Sequence, residues 1–84
     1  MMIHTVRIRI MPHKELLDPQ GKAVLIGMHQ LNLGSVTDVR VGKNIELQVE
    51  ANNPEEAVQI ASTAATQLLA NPVMEVFDIE LLSS

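Results

Sequence analysis

Two cap-and-proline pairs, Asp18-Pro19 and Asn53-Pro54, constrain this chain more than anything else in it. In each, a side-chain oxygen suited to the first free N–H groups of a helix precedes a proline with φ already near the helical value. Each pair follows an alternating apolar segment and precedes a helical one. The chain therefore divides into two similar halves, each predicted to run strand, helix, strand.

The first strand spans residues 3–10, with Val6, Ile8 and Ile10 on one face and Thr5, Arg7 and Arg9 on the other. Pro12 ends it. From the Asp18 cap a helix continues to about Leu31, with Val24, Met28 and Leu31 on one stripe, Ala23 and Ile26 widening it, and Gly34 as its break. Residues 36–50 then alternate twice, Thr37/Val39/Val41 and Ile45/Leu47/Val49, around Gly42-Lys43-Asn44. Gly and Asn tolerate the positive φ of a tight turn, so a β-hairpin with Gly42 and Lys43 at its tip is predicted.

The second helix starts at the Asn53 cap, with Glu56 three residues on as a capping-box variant. Ala57, Ile60, Ala61, Ala64, Ala65, Leu68 and Leu69 form its apolar stripe. Asn71-Pro72 stops it, and residues 73–82 read as the last strand. The expected fold is therefore α+β, of the βαββαβ ferredoxin-like order, with two helices on one face of an antiparallel sheet. In that topology the first strand sits between the third and fourth. Arg7 and Arg9 then face Glu46 and Glu50 on one side and Asp78 and Glu80 on the other. The same parity puts Met74 and Val76 outward, as an apolar patch for self-association through the sheet.

Residues 1–84 are long enough for one small domain, with a limited core. Of these residues 46% are hydrophobic, yet Phe77 is the only aromatic, so aliphatic side chains must fill the interior. A thin aliphatic core favours completion by a second copy. The net charge of −4 argues against a phosphate-backbone binder, and the lack of aromatics removes stacking platforms for single strands. With no cysteine, disulfides, thiol catalysis and thiolate metal sites are excluded. No apolar run is long enough to span a bilayer and no secretory signal is visible, so a cytoplasmic location is expected.

Candidate chemistry is sparse. His4, His13 and His29 fall on three different elements without metal-ligand spacing. Glu15, Asp18, Asp38, Glu46, Glu50, Glu55 and Glu56 each have a cap, a helix first turn or a solvated strand face to occupy. No Gly-rich loop joins a strand to a helix, so a phosphate cradle is not supported. No catalytic, cofactor-binding or metal residue is assigned. Arg40 and Lys43 are read as a solvated face, a partner contact or a small-anion site at the hairpin tip.

Three segments together resemble one family: LDPQGKAV at 17–24, VTDVRVGKNIEL at 36–47 and LLANPVMEVFDIE at 68–80. The chain is similar over its whole length to PurS, the small subunits of phosphoribosylformylglycinamidine (FGAM) synthase in de novo purine biosynthesis. It departs in the first loop, MPHKE, with Pro12 and His13. The resemblance implies a non-catalytic subunit that bridges a large synthetase subunit, PurL, and a glutaminase subunit, PurQ. ATP and Mg would be used by the large subunit, with no cofactor in this chain. It also implies self-association as a dimer or tetramer. Partner contacts are expected at Asp18, Pro19, Gln20, Gly21, Arg40, Gly42 and Lys43. One competing reading is a small-molecule-binding regulatory module of ferredoxin-like topology, which would need a ligand loop after the first strand. Another is an independent enzyme, which would need a reactive group with a partner.

Overall fold

The alternation of the first segment becomes β1 (Met2–Pro12), the central strand of a three-stranded antiparallel sheet, in a computed structural model that describes residues 2–83. Its neighbours are β2 (Lys43–Ala51) and β3 (Glu75–Ser83), in the order β2-β1-β3. Register follows the charge pattern except at Glu50: Arg7 lies opposite both Glu46 and Glu80, and Arg9 opposite Asp78, but Glu50 pairs with Ile3 and Asn44 takes the place expected for it beside Arg9. Arg7 reaches Glu80 at 3.2 Å and Glu46 at 3.7 Å, and Arg9 reaches Asp78 at 3.2 Å. The carboxylates are half-exposed or more and Arg7 is about a third exposed, so each pair contributes only ~0.2–1 kcal/mol.

The other face of β1 is the core. Val6, Ile8 and Ile10 are wholly buried, and α2 (Pro54–Ala64) lies across them. Ala57, Ala61 and Ala65 are its contact stripe, all without exposed surface. Small side chains let the helix backbone approach the sheet, and each buried Val or Ile beneath contributes ~1.5–3 kcal/mol. Asn53 caps α2 through Glu56 N–H at 2.8 Å, while the Glu56 carboxylate turns back to Asn52.

The last turn of this helix is π-helical, residues 65–69, closed by Ala70 N–H donating to Ala65 O at 2.9 Å. The wider turn changes which side chains face inward. Leu69 packs against the core and Ala70 is buried, whereas Leu68 is 81% exposed. The apolar stripe expected from the sequence is corrected at two places: the π-turn carries Leu68 outward, and Ile60, in the regular part of α2, lies at the edge of the stripe and is 43% exposed.

The predicted hairpin does not form. Residues 36–42 are irregular chain, and Lys43 is the first residue of β2, opposite Ile10. Gly42 does not take a positive φ; Asn32, at 65°, is the only non-glycine among the described residues that does. The alternation at Thr37, Val39 and Val41 lacks a ladder partner because both edges of β1 are already paired, and the Val41 N–H is held by a side chain instead. The fold keeps the ferredoxin-like order with one of its four strands absent from the sheet.

The first helix, α1 (Pro19–Gln30), is also placed differently from expectation. Its stop is Asn32, two residues past the last helical one, and not Gly34. Asn32 N–H donates to His29 O at 3.1 Å and Leu33 N–H to Met28 O at 3.0 Å, a Schellman pattern with asparagine in the left-handed position. More important, α1 does not pack on the sheet, so only α2 covers the core face. The molecule measures 52 × 25 × 14 Å, with a radius of gyration of 16.3 Å. A compact chain of this length has a radius of about 12 Å. The excess is α1, carried as an arm.

Candidate functional site

The arm is joined to the sheet where three stretches meet: the end of β1, the loop 13–18 and the segment 37–42. Asp18 stands at the junction. One carboxylate oxygen accepts Gly21 N–H at 3.0 Å and caps α1; the other accepts Val41 N–H at 2.9 Å. The Val41 bond, then the Gly21 bond, holds this carboxyl below the usual 3.8, with smaller help from the Gln20 amide and the Arg40 charge against partial desolvation. Arg40 extends its guanidinium to the backbone carbonyl of Pro12. The loop is fixed in turn to the chain before β3, His13 N–H donating to Met74 O at 3.0 Å.

Two glycines make this junction possible. A Cβ on Gly21 would overlap the Val39 carbonyl oxygen, and one on Gly42 would overlap Ile10 O and the Met11 sulfur. Close backbone approach, not turn conformation, is the reason for glycine at both positions. The junction encloses a cleft of about 200 Å³, lined by His13, Leu17, Asp18, Lys22, Asp38 and Arg40 among others.

Of the residues the sequence marks for partner contact, four are engaged within the chain: Asp18 and Arg40 by hydrogen bonds, Gly21 and Gly42 by close packing. Pro19 and Gln20 are exposed, and Lys43 is half-exposed beside Glu75 at 3.6 Å. Val76 is 46% exposed and lies on the outer face with Asp78 and Glu80. Met74, 47% exposed, precedes β3 and is not a ladder residue.

The arm carries what single-residue scanning of the sequence does not single out. Leu17 is 68% exposed, Ile26 58%, Leu31 72% and Leu33 47%, while Leu25 and Met28 are only partly covered. A helix apolar on several sides belongs inside an assembly or a core, and the near-continuous apolar run 23–28 is the signal that could have shown it.

The histidines do not converge. His4 is buried on the core face, His13 lies in the first loop, and His29 ties its ring to the Val36 carbonyl at 2.8 Å. Among the described residues no group of three or more His, Asp or Glu is placed to hold a metal ion. Among the described residues no helix is long and apolar enough to cross a membrane.

Known proteins match this geometry and this sequence throughout. The family model of PurS, phosphoribosylformylglycinamidine (FGAM) synthase, matches residues 5–83. The phosphoribosylformylglycinamidine synthase subunit PurS of Synechocystis is 43% identical over 75 residues, covering 89% of this chain and 75% of the relative. The corresponding subunit of Bacillus subtilis is 33% identical over 79 residues, covering 94% and 93%. Among solved structures, a chain of PurLQS from Thermotoga maritima superposes with a TM-score of 0.89 at 32% identity, covering 98% of this chain and all of that one. An arm held off a three-stranded sheet by an Asp18 junction, on a sequence matched nearly end to end, belongs to the PurS family of FGAM synthase subunits.

Proposed function

We propose that this chain works without an active site of its own, bridging PurL and PurQ so that ammonia released from glutamine reaches formylglycinamide ribonucleotide. ATP and Mg are used by the large subunit in this reading, and the location is the cytoplasm. The observation that carries it is the α1 arm: an apolar helix presented to solvent, on a monomer far less compact than its length requires. The Thermotoga maritima neighbour is a PurLQS structure, which supports the same partners here. Ammonia freed into bulk water is protonated or lost by diffusion, so aligning two sites and excluding solvent between them is a sufficient task for a subunit with no reactive cluster.

Self-association belongs to the same reading. Ile45 and Leu47 on β2, and Phe77, Ile79 and Leu81 on β3, are only partly buried against the core, because one helix covers the face that two cover in a full ferredoxin-like fold. The α1 helix of a second copy has the apolar surface to complete that cover, with Met74 and Val76 as a further contact patch. Pro19, Gln20 and Lys43 remain available to PurL or PurQ, while Asp18, Gly21, Arg40 and Gly42 shape the surface those partners meet. Co-elution of the chain with PurL and PurQ of the same organism in size-exclusion chromatography with light scattering tests this. A stoichiometric complex is expected; three separate peaks, with and without nucleotide and glutamine, would remove the reading.

A further inference from the structure

The bonds at the arm's root suggest a second role for the residue that caps it. We propose that Asp18 is a positioning residue for subunit assembly: its second carboxylate oxygen straps the root of α1 to the segment 37–42 and so fixes the direction of the arm. The proposal rests on the assembly reading above and adds the residue that prepares the arm for it.

A helix N-cap needs one acceptor, and Asp18 supplies it to Gly21 N–H. The oxygen left over is not free. It takes the N–H of Val41, in a segment with no strand ladder to satisfy its backbone. Beside it Arg40 closes on the Pro12 carbonyl, and the two glycines let the three stretches of backbone touch. Beyond the root, α1 touches only the segment that returns from its far end, at Leu25 beside Asp38 and Val39 and at His29, whose ring meets the Val36 carbonyl at 2.8 Å; helix and segment form one arm that does not pack on the sheet. The arm's direction is therefore set at its root. An arm already pointing the right way loses less freedom on docking, so the strap favours assembly without touching a partner.

The two roles of Asp18 separate chemically. Asp18→Ser keeps a good N-cap but has a single short oxygen, which cannot also reach Val41. Asp18→Asn caps equally well, yet its amide accepts through one atom only, so either orientation leaves one N–H unmatched. Arg40→Met removes the neighbouring closure while keeping the packing stem. All three should leave helix content unchanged by circular dichroism.

The chain has no cysteine, so spin labels at Gln30→Cys and Gln48→Cys report the distance from the arm's end to the outer face of β2. Labelled protein is diluted into unlabelled wild type, so that only distances within one chain are read. A single narrow distribution is expected for the wild-type background and a clearly broader one for Asp18→Ser. Affinity for PurL with PurQ should fall about tenfold, the order expected for losing one charge-assisted hydrogen bond. A distribution as narrow as wild type overturns the strap. A broad distribution with unchanged affinity overturns its part in assembly. If the wild-type chain fails to bind PurL and PurQ at all, the bridging reading falls instead, and the two distribution widths still decide the strap.

Discussion

The carboxylate of Asp18 accepts the backbone N–H of Val41 at 2.9 Å, across 23 positions of sequence. This bond, with the one to Gly21, keeps the carboxyl ionised to lower pH than a free aspartate. The sign of its pH dependence follows. A lowered folded-state value means the contribution to stability is fully present above the unfolded value of 3.8 and is lost as pH falls through the folded value. Thermal melts of wild type and Asp18→Ser should differ at neutral pH and converge in acid below that range. Curves that stay parallel to the most acidic point would show that the bond to Val41 does not form in solution.

The glycines should separate by position. Gly42→Ala drives a methyl into Ile10 O and the Met11 sulfur and should destabilise by ~1–3 kcal/mol. Gly27 lies within α1 with nothing near its missing Cβ, so Gly27→Ala should stabilise by ~0.5–1 kcal/mol. Urea titrations of the two variants check this. Equal effects of the same sign would contradict the close approach at Gly42.

His4 sits on the core face of β1 at 1% exposure, and neither ring nitrogen has a hydrogen-bond partner among the described residues. A buried polar group without a partner costs about 1–3 kcal/mol, so an apolar side chain of similar volume should gain part of that back. His4→Leu is expected to raise the urea midpoint at unchanged slope. A lower midpoint would reveal a partner for the imidazole.

Much of the fold was legible because local chemistry and packing agreed. Asp18-Pro19 and Asn53-Pro54 start helices where the pattern says they should, and Arg7 finds Glu46 and Glu80 because charge and strand parity coincide. The misreadings share a cause. Thr37, Val39 and Val41 alternate as a strand does, but a strand also needs an open edge, and both edges of β1 are taken. The stripe on α1 reads as a core face, but α1 does not pack on the sheet of its own chain. Leu68 reads as core until the π-turn rotates it out, a change of one residue per turn that periodicity does not register. At the candidate site, Asp18 and Arg40 were identified by position and family resemblance. Their inward bonds depend on the meeting of 12–21 with 37–42, which lies beyond any local pattern.

The role proposed for this chain is to bridge PurL and PurQ, with the chemistry left to those two subunits. Formation of the amidine by PurL and PurQ should be measured with glutamine and separately with ammonium as nitrogen source, each with and without the chain. Loss of the glutamine-dependent reaction alone, with the ammonium-dependent one retained, is the predicted result. Equal rates with and without the chain on both nitrogen sources would contradict the account.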